Sequence, residues 1–487
     1  MDRTFKTTRY DRYGKPYKGL KTTTLRRTGL EPVLAEALKR KLPIVDMALG
    51  NPNAYWNPNA GEDNNGHLRP NPTLMDSIRE ALGAEHDKIS CGYTTSAGVP
   101  ELLEVMKRAN LSDPASVLKD PKKFENVRTV ITAGGSEAAQ VGMAPLLLAP
   151  GDKLAVHRWI YIIHLGVAYK EEAELVDFAL RKDGVPDPQS LNKLLKESKS
   201  NGKGGVQCVV CTTIGNPIGS AMSREAIVET MQVIKEQSEV EKRPIVAFFD
   251  TAYEAFRPDG APLDPIEIAI DEGIEIPVGV FETASKGYGL CGLRLGALRL
   301  HWTEGHYPDY RHDYFNCLDY LILPRLGLVP VHIQLGLLNY LKKMESDSGI
   351  LEQNKRFFRE RREKVNANLL KIATALDGIP GVYVSTHYDH NGELDNIDPR
   401  TLASFYVTFG LDNLARTHGS GFNQAQRLAE FSLEQGIPVI NCVPGTSFLP
   451  QRIWAEEPSL IRVTALTNER TTNMFLETVE RAARDIR

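Results

Sequence analysis

Apolar runs alternate with helical patterns along the middle of the chain, from about residue 90 to residue 300. Seven short runs predict buried strands, over residues 130–133, 154–157, 174–178, 206–213, 245–250, 278–281 and 295–300. Helix-like segments fall between most of them; Ile227, Met231 and Ile234 are spaced as on one helix face after Ser223, a residue type that caps helices. This alternation predicts an α/β fold with a large domain, in which helices sandwich a mostly parallel seven-stranded sheet.

The pattern changes after about residue 344. A charged helical stretch at 352–376 precedes strand-like runs at 382–385 and 405–409, and a further helix-like segment covers 423–435. This part predicts a smaller α+β domain.

The first 30 residues form a basic segment, with nine Lys or Arg against two Asp and few large apolar residues. Such a composition predicts an extended arm, although a nucleic-acid contact or a targeting role is also compatible with it. The predicted domains are a basic N-terminal arm at 1–48, a small-domain and active-site loop segment at 49–70, a large domain at 71–344, and a small C-terminal domain at 345–487.

Composition restricts the partners and the compartment. The chain has 487 residues with a net charge of −4, so binding to nucleic acid is not expected. No apolar run approaches the roughly 20 residues that a membrane-spanning helix needs, which predicts no membrane association. The first residues lack the apolar core of a signal peptide, so we expect a cytoplasmic protein.

The six cysteines show no disulfide framework, which favours a reducing compartment. Cys208 and Cys211 have CxxC spacing but lie inside a predicted strand, where side chains three positions apart face opposite sides. We therefore expect buried thiols rather than a redox or zinc pair. The eleven histidines show no metal-binding spacing, so no metal is predicted.

One lysine, Lys286, follows the apolar run 278–281 and precedes several glycines that allow a tight turn. Thr283, Ser285 and Arg294 near it are anion-binding residue types. A lone lysine after a strand is usually a surface residue. A lysine flanked in this way can also form a Schiff base with a phosphorylated carbonyl cofactor.

Three further motifs fall at predicted strand ends. Residues 132–139 read as a strand end, a glycine turn and a helix start, which together can bind an anion through Gly135 and Ser136. Asn216 lies in a sharp Asn-Pro turn that leaves its amide free to reach a ligand. Asp250 ends another apolar run, and Tyr253 follows three residues later. Each motif alone is compatible with an ordinary turn.

Asn216, Asp250, Lys286 and Arg294, in this order and at these distances along the chain, resemble the active-site set of the fold-type-I pyridoxal-phosphate enzymes, the class I/II aminotransferase family. The Asn-Pro-x-Gly, Asp-x-x-Tyr and Ser-Lys-x-x-Gly-x-x-Gly-x-Arg-x-Gly motifs of that family are present. The resemblance extends from about Gly50 to the C-terminus.

The resemblance implies a role for each matching residue. The catalytic residues would be Lys286, Asp250 and Tyr253. The residues that bind pyridoxal 5'-phosphate would be Tyr93, Gly135, Ser136, Tyr161, Asn216, Asp250, Tyr253, Thr283, Ser285, Lys286 and Arg294. The residues that bind substrate would be Gly50, Asn216 and Arg462. Trp159 is the alternative to Tyr161 as the aromatic residue against the cofactor ring.

The family further implies a homodimer whose active site is shared across the interface, with Tyr93 reaching the partner's cofactor. The expected reaction is transfer of an amino group between an α-amino acid and a 2-oxo acid through a Schiff base on Lys286. An amino-acid oxidase, a β- or γ-lyase or a decarboxylase of the same fold is the alternative, and a non-catalytic binding protein is a third possibility. For the substrate side chain, the sequence offers His67, Arg69, Arg158 and His332 as candidate polar contacts.

Overall fold

The structure is a computed structural model that describes residues 30–48, 70–83, 93–111, 113, 119–198, 204–325, 329–384, 386–388, 394–396, 398, 401–418, 422–450 and 460–486. The strands are β1 Ile44–Asp46, β2 Val127–Thr132, β3 Asp152–His157, β4 Glu174–Phe178, β5 Gly205–Thr212, β6 Val246–Asp250, β7 Val278–Thr283, β8 Gly296–His301, β9 Val382–Val384, β10 Thr386–Tyr388, β11 Leu394–Asn396, β12 Tyr406–Leu411, β13 Val439–Asn441, β14 Val443–Pro444 and β15 Ile461–Thr464. The α-helices are α1 Glu31–Lys39, α2 Pro72–Ala81, α3 Pro100–Arg108, α4 Gly135–Met143, α5 Ile162–Lys170, α6 Pro188–Glu197, α7 Arg224–Glu241, α8 Pro265–Asp271, α9 Pro308–Ile322, α10 Val331–Ser346, α11 Ser348–Asp377, α12 Asp412–His418, α13 Gln424–Glu434 and α14 Glu469–Asp485.

The centre of the molecule is a seven-stranded sheet with the order β2-β8-β7-β6-β5-β3-β4. β8 runs antiparallel to both of its neighbours, and the other neighbouring pairs are parallel. Every predicted strand of this region is present within a few residues, so the predicted α/β fold with a mostly parallel seven-stranded sheet is confirmed.

Both faces of this sheet are covered by apolar side chains, which is why its strands read as nearly continuous apolar runs. Cys211 and Phe249 pack into the core on one face, while Cys208 and Phe248 pack into the core on the other. The prediction of buried strand thiols is therefore confirmed, and burial raises the pKa of both.

Several helices begin where the sequence supplies a cap. The side chain of Ser223 accepts a hydrogen bond from the amide of Ala226 at 3.2 Å at the start of α7, as its position predicts. Asp187 accepts from two amides at the start of α6, where Pro188 occupies the first helical position. These caps fix the helix starts that pack on the sheet.

The second part of the molecule contains the antiparallel sheet β14-β15-β12-β9, and it also contains α13 and α14. The 30-residue helix α11 joins the two parts, since Phe358 packs with the large-sheet side and Leu369 with the core around the smaller sheet. The smaller α+β unit was expected from the change of pattern after residue 344.

Residues 30–48 correct the prediction of an arm over 1–48. In α1, Val33 and Ala37 are buried, and β1 pairs in parallel with β13. Val45 and Met47 join the core around the smaller sheet. The apolar residues of 30–48 pack into the core, so the basic composition of the residues before them does not predict the structure of this stretch. Residues 1–29 and most of the predicted loop segment, 49–69, lie outside the described residues.

Candidate active site

The predicted site residues converge at the carboxyl-end edge of the large sheet. Thr212 at the end of β5 is in register with Asp250 at the end of β6. Thr132 at the end of β2 and Thr283 at the end of β7 both pair with Gly296. Since parallel strands end at one edge, loops that are distant along the chain meet there.

Asp250 is held by a histidine that sequence reasoning missed. His164 Nε2 lies 2.9 Å from Asp250 Oδ2, and the amide of Ala252 donates to the other carboxylate oxygen at 3.0 Å. The imidazole of His164 is buried and stacks on Phe281 with 5.8 Å between ring centroids. Nδ1 of His164 is buried and has no hydrogen-bond partner among the described residues.

A second buried histidine supports the same edge. His157 at the end of β3 contacts the carbonyl of Arg158 through Nδ1 at 2.7 Å, and its Nε2 accepts the amide of Thr212 at 3.2 Å. Burial, helped by His164 and opposed by the Arg158 carbonyl and Asp250, lowers the pKa of His157 to about 4. His157 is therefore neutral near pH 7 and links β3 to β5.

Lys286 lies in an aromatic enclosure. Its Nζ is 5.9 Å from the ring centroid of Tyr253 and 5.6 Å from that of Phe405. Burial lowers the pKa of the Lys286 amine, but Tyr406, Cys291 and Tyr161 raise it by more, so the net shift is upward. Lys286 as a residue is half-buried in this enclosure.

Tyr161 lies on the same side of the sheet, immediately before α5, and its ring is 6.0 Å from that of His164. Burial raises the pKa of its phenol, and Lys286 acts in the opposite direction. Trp159, the alternative, is 1% exposed and packs into the core around the smaller sheet. Tyr161 packs against the edge of the same core and is half-buried, so it is the less enclosed of the two aromatic residues.

Arg462 in β15 faces Asn216 across the boundary between the two sheets. Its Nη1 donates to Asn216 Oδ1 at 3.2 Å, and its Nη2 donates to the carbonyl of Ala48 at 2.6 Å. The guanidinium carbon is 4.0 Å from the ring centroid of Tyr406 and 5.0 Å from that of Phe448. Its Nε is buried and has no hydrogen-bond partner among the described residues, so one donor of the fork is left unsatisfied.

The glycine turn after β2 lies against the loop after β7, where the sequence predicts an anion site. Gly134, with φ +87°, precedes the first turn of α4 and supplies no side-chain cap, and the amide of Glu137 in that turn donates to the Gly134 carbonyl at 3.1 Å. Arg294 Nη2 donates to the carbonyl of Ala133 at 2.7 Å, and an added Cβ at Gly134 would lie 2.7 Å from that same nitrogen. The close approach requires glycine. Gly135 and Ser136 occupy the first two positions of the helix, and Ser136 is half-buried.

The hydroxyls of Thr283 and Ser285 point at each other from the end of β7. Thr283 Oγ1 donates to Ser285 Oγ at 2.8 Å and accepts the Ser285 amide at 3.1 Å. The pair lies where β7 ends and the loop that carries Lys286 begins, and Arg294 lies near the end of that loop, just before β8.

The remaining predicted residues fall elsewhere. Tyr93 is 89% exposed, and Gly50 lies outside the described residues, as do His67 and Arg69. Arg158 Nε donates to Asp177 at 3.0 Å. His332 is half-buried near the start of α10.

Sequence reasoning missed two more residues, Phe405 and Tyr406, which lie next to Lys286 and Arg462. Tyr253 donates its hydroxyl proton to the hydroxyl of Tyr406 at 3.4 Å. Phe405 and Tyr406 come from the strand-like run predicted at 405–409. Alternation along a strand would not place these two consecutive residues on the same side. Phe405 precedes β12, which lets both rings face the site.

Comparison with known proteins matches this architecture. The model of the family described as aminotransferase class I and II matches residues 61–479. An alanine aminotransferase from Pyrococcus furiosus has a similar structure, with a TM-score of 0.68 at 16% identity over 96% of this chain and 99% of that chain. A mutant aspartate aminotransferase from Thermus thermophilus has a TM-score of 0.61 at 19% identity over 94% of this chain and 98% of that chain.

A curated relative, an uncharacterized aminotransferase from Saccharolobus solfataricus, is 26% identical over 215 residues, which are 44% of this chain and 48% of that protein. The match thus spans about half the length of that relative. The structural similarities show the shared fold, and the family model covers most of the chain. The chain therefore belongs to the aminotransferase class I and II family.

Proposed function

We propose that the protein is a pyridoxal 5'-phosphate-dependent aminotransferase that moves an amino group between an α-amino acid and a 2-oxo acid. The observation that carries this proposal is the convergence of an enclosed lysine, Lys286, a carboxylate held by histidine, Asp250, and an arginine with an unsatisfied buried donor, Arg462. Family membership supports it.

The residues present fit the cofactor. The amides before α4, with Arg294, Thr283 and Ser285, would hold its phosphate, since that turn combines N–H groups at a helix start with a guanidinium and two hydroxyls. Asp250 would pair with the ring nitrogen. Further contacts to the ring would come from Asn216, Tyr253 and Tyr161. When bound, the cofactor withdraws electrons from the α-carbon of the amino acid.

The acid–base work falls to Lys286. The buried side chains of Tyr253, Phe405 and Tyr406 surround this site. Lys286 Nζ would act first as a base that removes a proton from the substrate α-carbon, and then as an acid that donates a proton back. Asp250 would meet the ring nitrogen with its carboxylate already oriented, because His164 donates to one oxygen and a backbone amide to the other.

Arg462 would bind the α-carboxylate of the substrate. Asn216 and Ala48 hold two of its nitrogens, so the guanidinium is oriented before a ligand arrives. The free Nε–H and its neighbouring N–H form the edge that a carboxylate can bridge with two parallel hydrogen bonds.

We propose a homodimer in which Tyr93 reaches the cofactor of a second copy, and its 89% exposure supports this role because a large aromatic ring is left uncovered. A cytoplasmic location is proposed because the cysteines among the described residues are free thiols.

Among the described helices, none has both the length and the apolarity needed to cross a bilayer. The described residues also contain no cluster of side chains that could hold a metal ion.

The test is an anaerobic assay in which protein loaded with pyridoxal 5'-phosphate receives a panel of amino acids and one 2-oxo acid. Transfer of the amino group to the 2-oxo acid, lost in Lys286→Ala, is the expected result. The control is Lys371→Ala, which removes an exposed lysine paired with Glu469 and should keep the activity.

Other products would overturn the aminotransferase assignment. Release of ammonia or carbon dioxide without amino transfer would indicate a lyase or a decarboxylase. Oxygen uptake in air would indicate an oxidase. Full turnover by Lys286→Ala would contradict the role of Lys286 in any of these reactions.

A further inference from the structure

The main chain that follows β1 carries the carbonyl that holds Arg462. Arg462 Nη2 donates to the carbonyl of Ala48 at 2.6 Å, while Nη1 donates to Asn216 at the longer distance of 3.2 Å. A guanidinium is a planar, rigid fork, so the positions of these two acceptors set its orientation. The direction of the Ala48 carbonyl therefore bears on how Arg462 can receive a carboxylate.

Hydrogen bonds hold the peptide unit between Met47 and Ala48 at both of its polar atoms. The carbonyl of Met47 accepts from the amide of Thr464 on β15 at 2.7 Å. The amide of Ala48 donates to Asp46 Oδ1 at 3.1 Å. Because a peptide unit is planar, these two bonds fix its orientation and the direction in which the chain continues at Ala48.

The Asp46 carboxylate is held in turn by β13. Asn441 Nδ2 donates to Asp46 Oδ1 at 3.0 Å, from the position directly opposite Asp46 in the pairing of β1 with β13. The amide of Met47 also donates to the carbonyl of Asn441 at 2.7 Å. A continuous chain of hydrogen bonds thus runs from Asn441 through Asp46 and Ala48 to Arg462.

Asp46 acts in this chain as an acceptor. Among the described residues, its carboxylate receives hydrogen bonds from two N–H groups and forms no ion pair. Both N–H groups donate to the same oxygen, Oδ1. An asparagine side chain also has such an oxygen, whereas alanine has none, so the two replacements separate the hydrogen bond from the rest of the side chain.

We propose that Asp46 is a positioning residue for Arg462, which fixes the main chain at Ala48 so that the Ala48 carbonyl holds the guanidinium ready for a substrate carboxylate. Asp46 acts through Ala48 and does not itself contact the substrate. The inference rests on the proposed function, because it assumes that Arg462 binds the α-carboxylate of the amino acid.

The first test measures kcat and KM of the full chain loaded with pyridoxal 5'-phosphate, for the best amino acid donor and for the amine that lacks its carboxylate. Asp46→Ala should raise KM for the amino acid roughly 2- to 12-fold, the range that one hydrogen bond contributes, and should leave kcat and the values for the amine unchanged. Asp46→Asn should restore the wild-type KM, because its amide oxygen can accept from Ala48. Equal changes for both substrates in Asp46→Ala would indicate a merely structural role and would overturn the proposal.

Asp259→Ala is the matched control. Asp259 also accepts the amide of the residue two positions further on, Ala261, at 2.9 Å, but it is exposed in the loop after β6. This variant should keep the wild-type KM for both substrates. A rise equal to that in Asp46→Ala would show that the effect does not depend on Arg462, and it would contradict the proposal.

The second test combines Asp46→Ala with Arg462→Lys. If Asp46 acts through Arg462, the double variant should have the same KM for the amino acid as Arg462→Lys alone, because the hydrogen bond to the Ala48 carbonyl is already lost. A further rise as large as that of Asp46→Ala by itself would show that the two residues act independently, and the proposal would fail.

Asn441→Ala provides an independent variant, should Asp46→Ala fail to fold. It removes the side-chain donor to Asp46 and leaves the main-chain bond between Met47 and Asn441, so KM for the amino acid should rise and the values for the amine should not. An absence of amino transfer in the wild type would overturn the proposed function. Transfer with the wild-type KM in both Asp46→Ala and Asn441→Ala would overturn only the role of Asp46.

Discussion

Replacing Arg462 by lysine keeps a positive charge on the substrate side of the site but removes the planar fork. The variant loses the hydrogen bonds from Nη1 to Asn216 and from Nη2 to Ala48, and it loses the stacked contact with Tyr406. A lysine ammonium is a compact point charge and cannot present two parallel N–H groups to one carboxylate. We therefore expect Arg462→Lys to retain its fold and to bind the α-carboxylate with one hydrogen bond fewer.

The expected loss in kcat/KM follows from the number of hydrogen bonds to the substrate carboxylate that the variant cannot form. A hydrogen bond to a charged group contributes about 1.5–3 kcal/mol. Because about 1.4 kcal/mol corresponds to a tenfold change in rate, loss of one such bond should lower kcat/KM for an amino acid roughly 10- to 150-fold.

The assay compares the best amino acid donor with the amine that lacks its carboxylate, in the wild type and in Arg462→Lys. kcat/KM should decrease for the amino acid and stay the same for the amine, so the ratio of the two values should be smaller in Arg462→Lys than in the wild type. Arg427→Lys is the control, since Arg427 pairs with Glu434 at 3.0 Å on α13. An equal loss for both substrates, or no loss for either, would refute the carboxylate role of Arg462.

Three further predictions address the scaffold of the site. His164→Phe should lower kcat roughly 10- to 100-fold, because Asp250 loses a charge-assisted hydrogen bond of about 1.5–3 kcal/mol, and an unchanged kcat would exclude this support. Gly279→Ala should destabilise the fold by about 1–3 kcal/mol in chemical denaturation, because the added Cβ would lie 2.3 Å from Phe248, and wild-type stability would contradict that packing. His157 has a pKa of about 4 in the folded protein and about 6.5 in the unfolded chain. Its contribution to the free energy of unfolding is therefore complete above pH 6.5 and is lost as the pH falls towards 4. His157→Gln should therefore flatten the pH dependence of the unfolding free energy across that window, and an identical slope would show that His157 does not cause it.

Much of the large domain was predictable from local pattern. Buried parallel strands read as apolar runs because both faces of the sheet are covered, and the seven runs became seven strands. The alternation along a strand also placed Cys208 and Cys211 on opposite faces. The cap at Ser223 was predictable because it depends only on neighbouring residues.

Residues 30–48 show where local reasoning failed. Their role depends on β13 and on the core around the smaller sheet, which lie about 400 residues further along the chain. Composition of the preceding basic stretch gave no information about that distant partner. The prediction therefore extended the arm too far.

The sequence by itself determined the fold class, the strand ends and the ordered set Asn216, Asp250, Lys286 and Arg294, because strand burial and turn chemistry are local and the motif spacing is specific. Only the tertiary structure decided that His164 holds Asp250, that Ala48 orients Arg462, and that the guanidinium of Arg462 lies over the ring of Tyr406. These contacts join elements that are far apart along the chain, and the direction of each side chain depends on how the helices and strands pack. Hydrogen bonds across such distances leave no periodic signal in a single sequence.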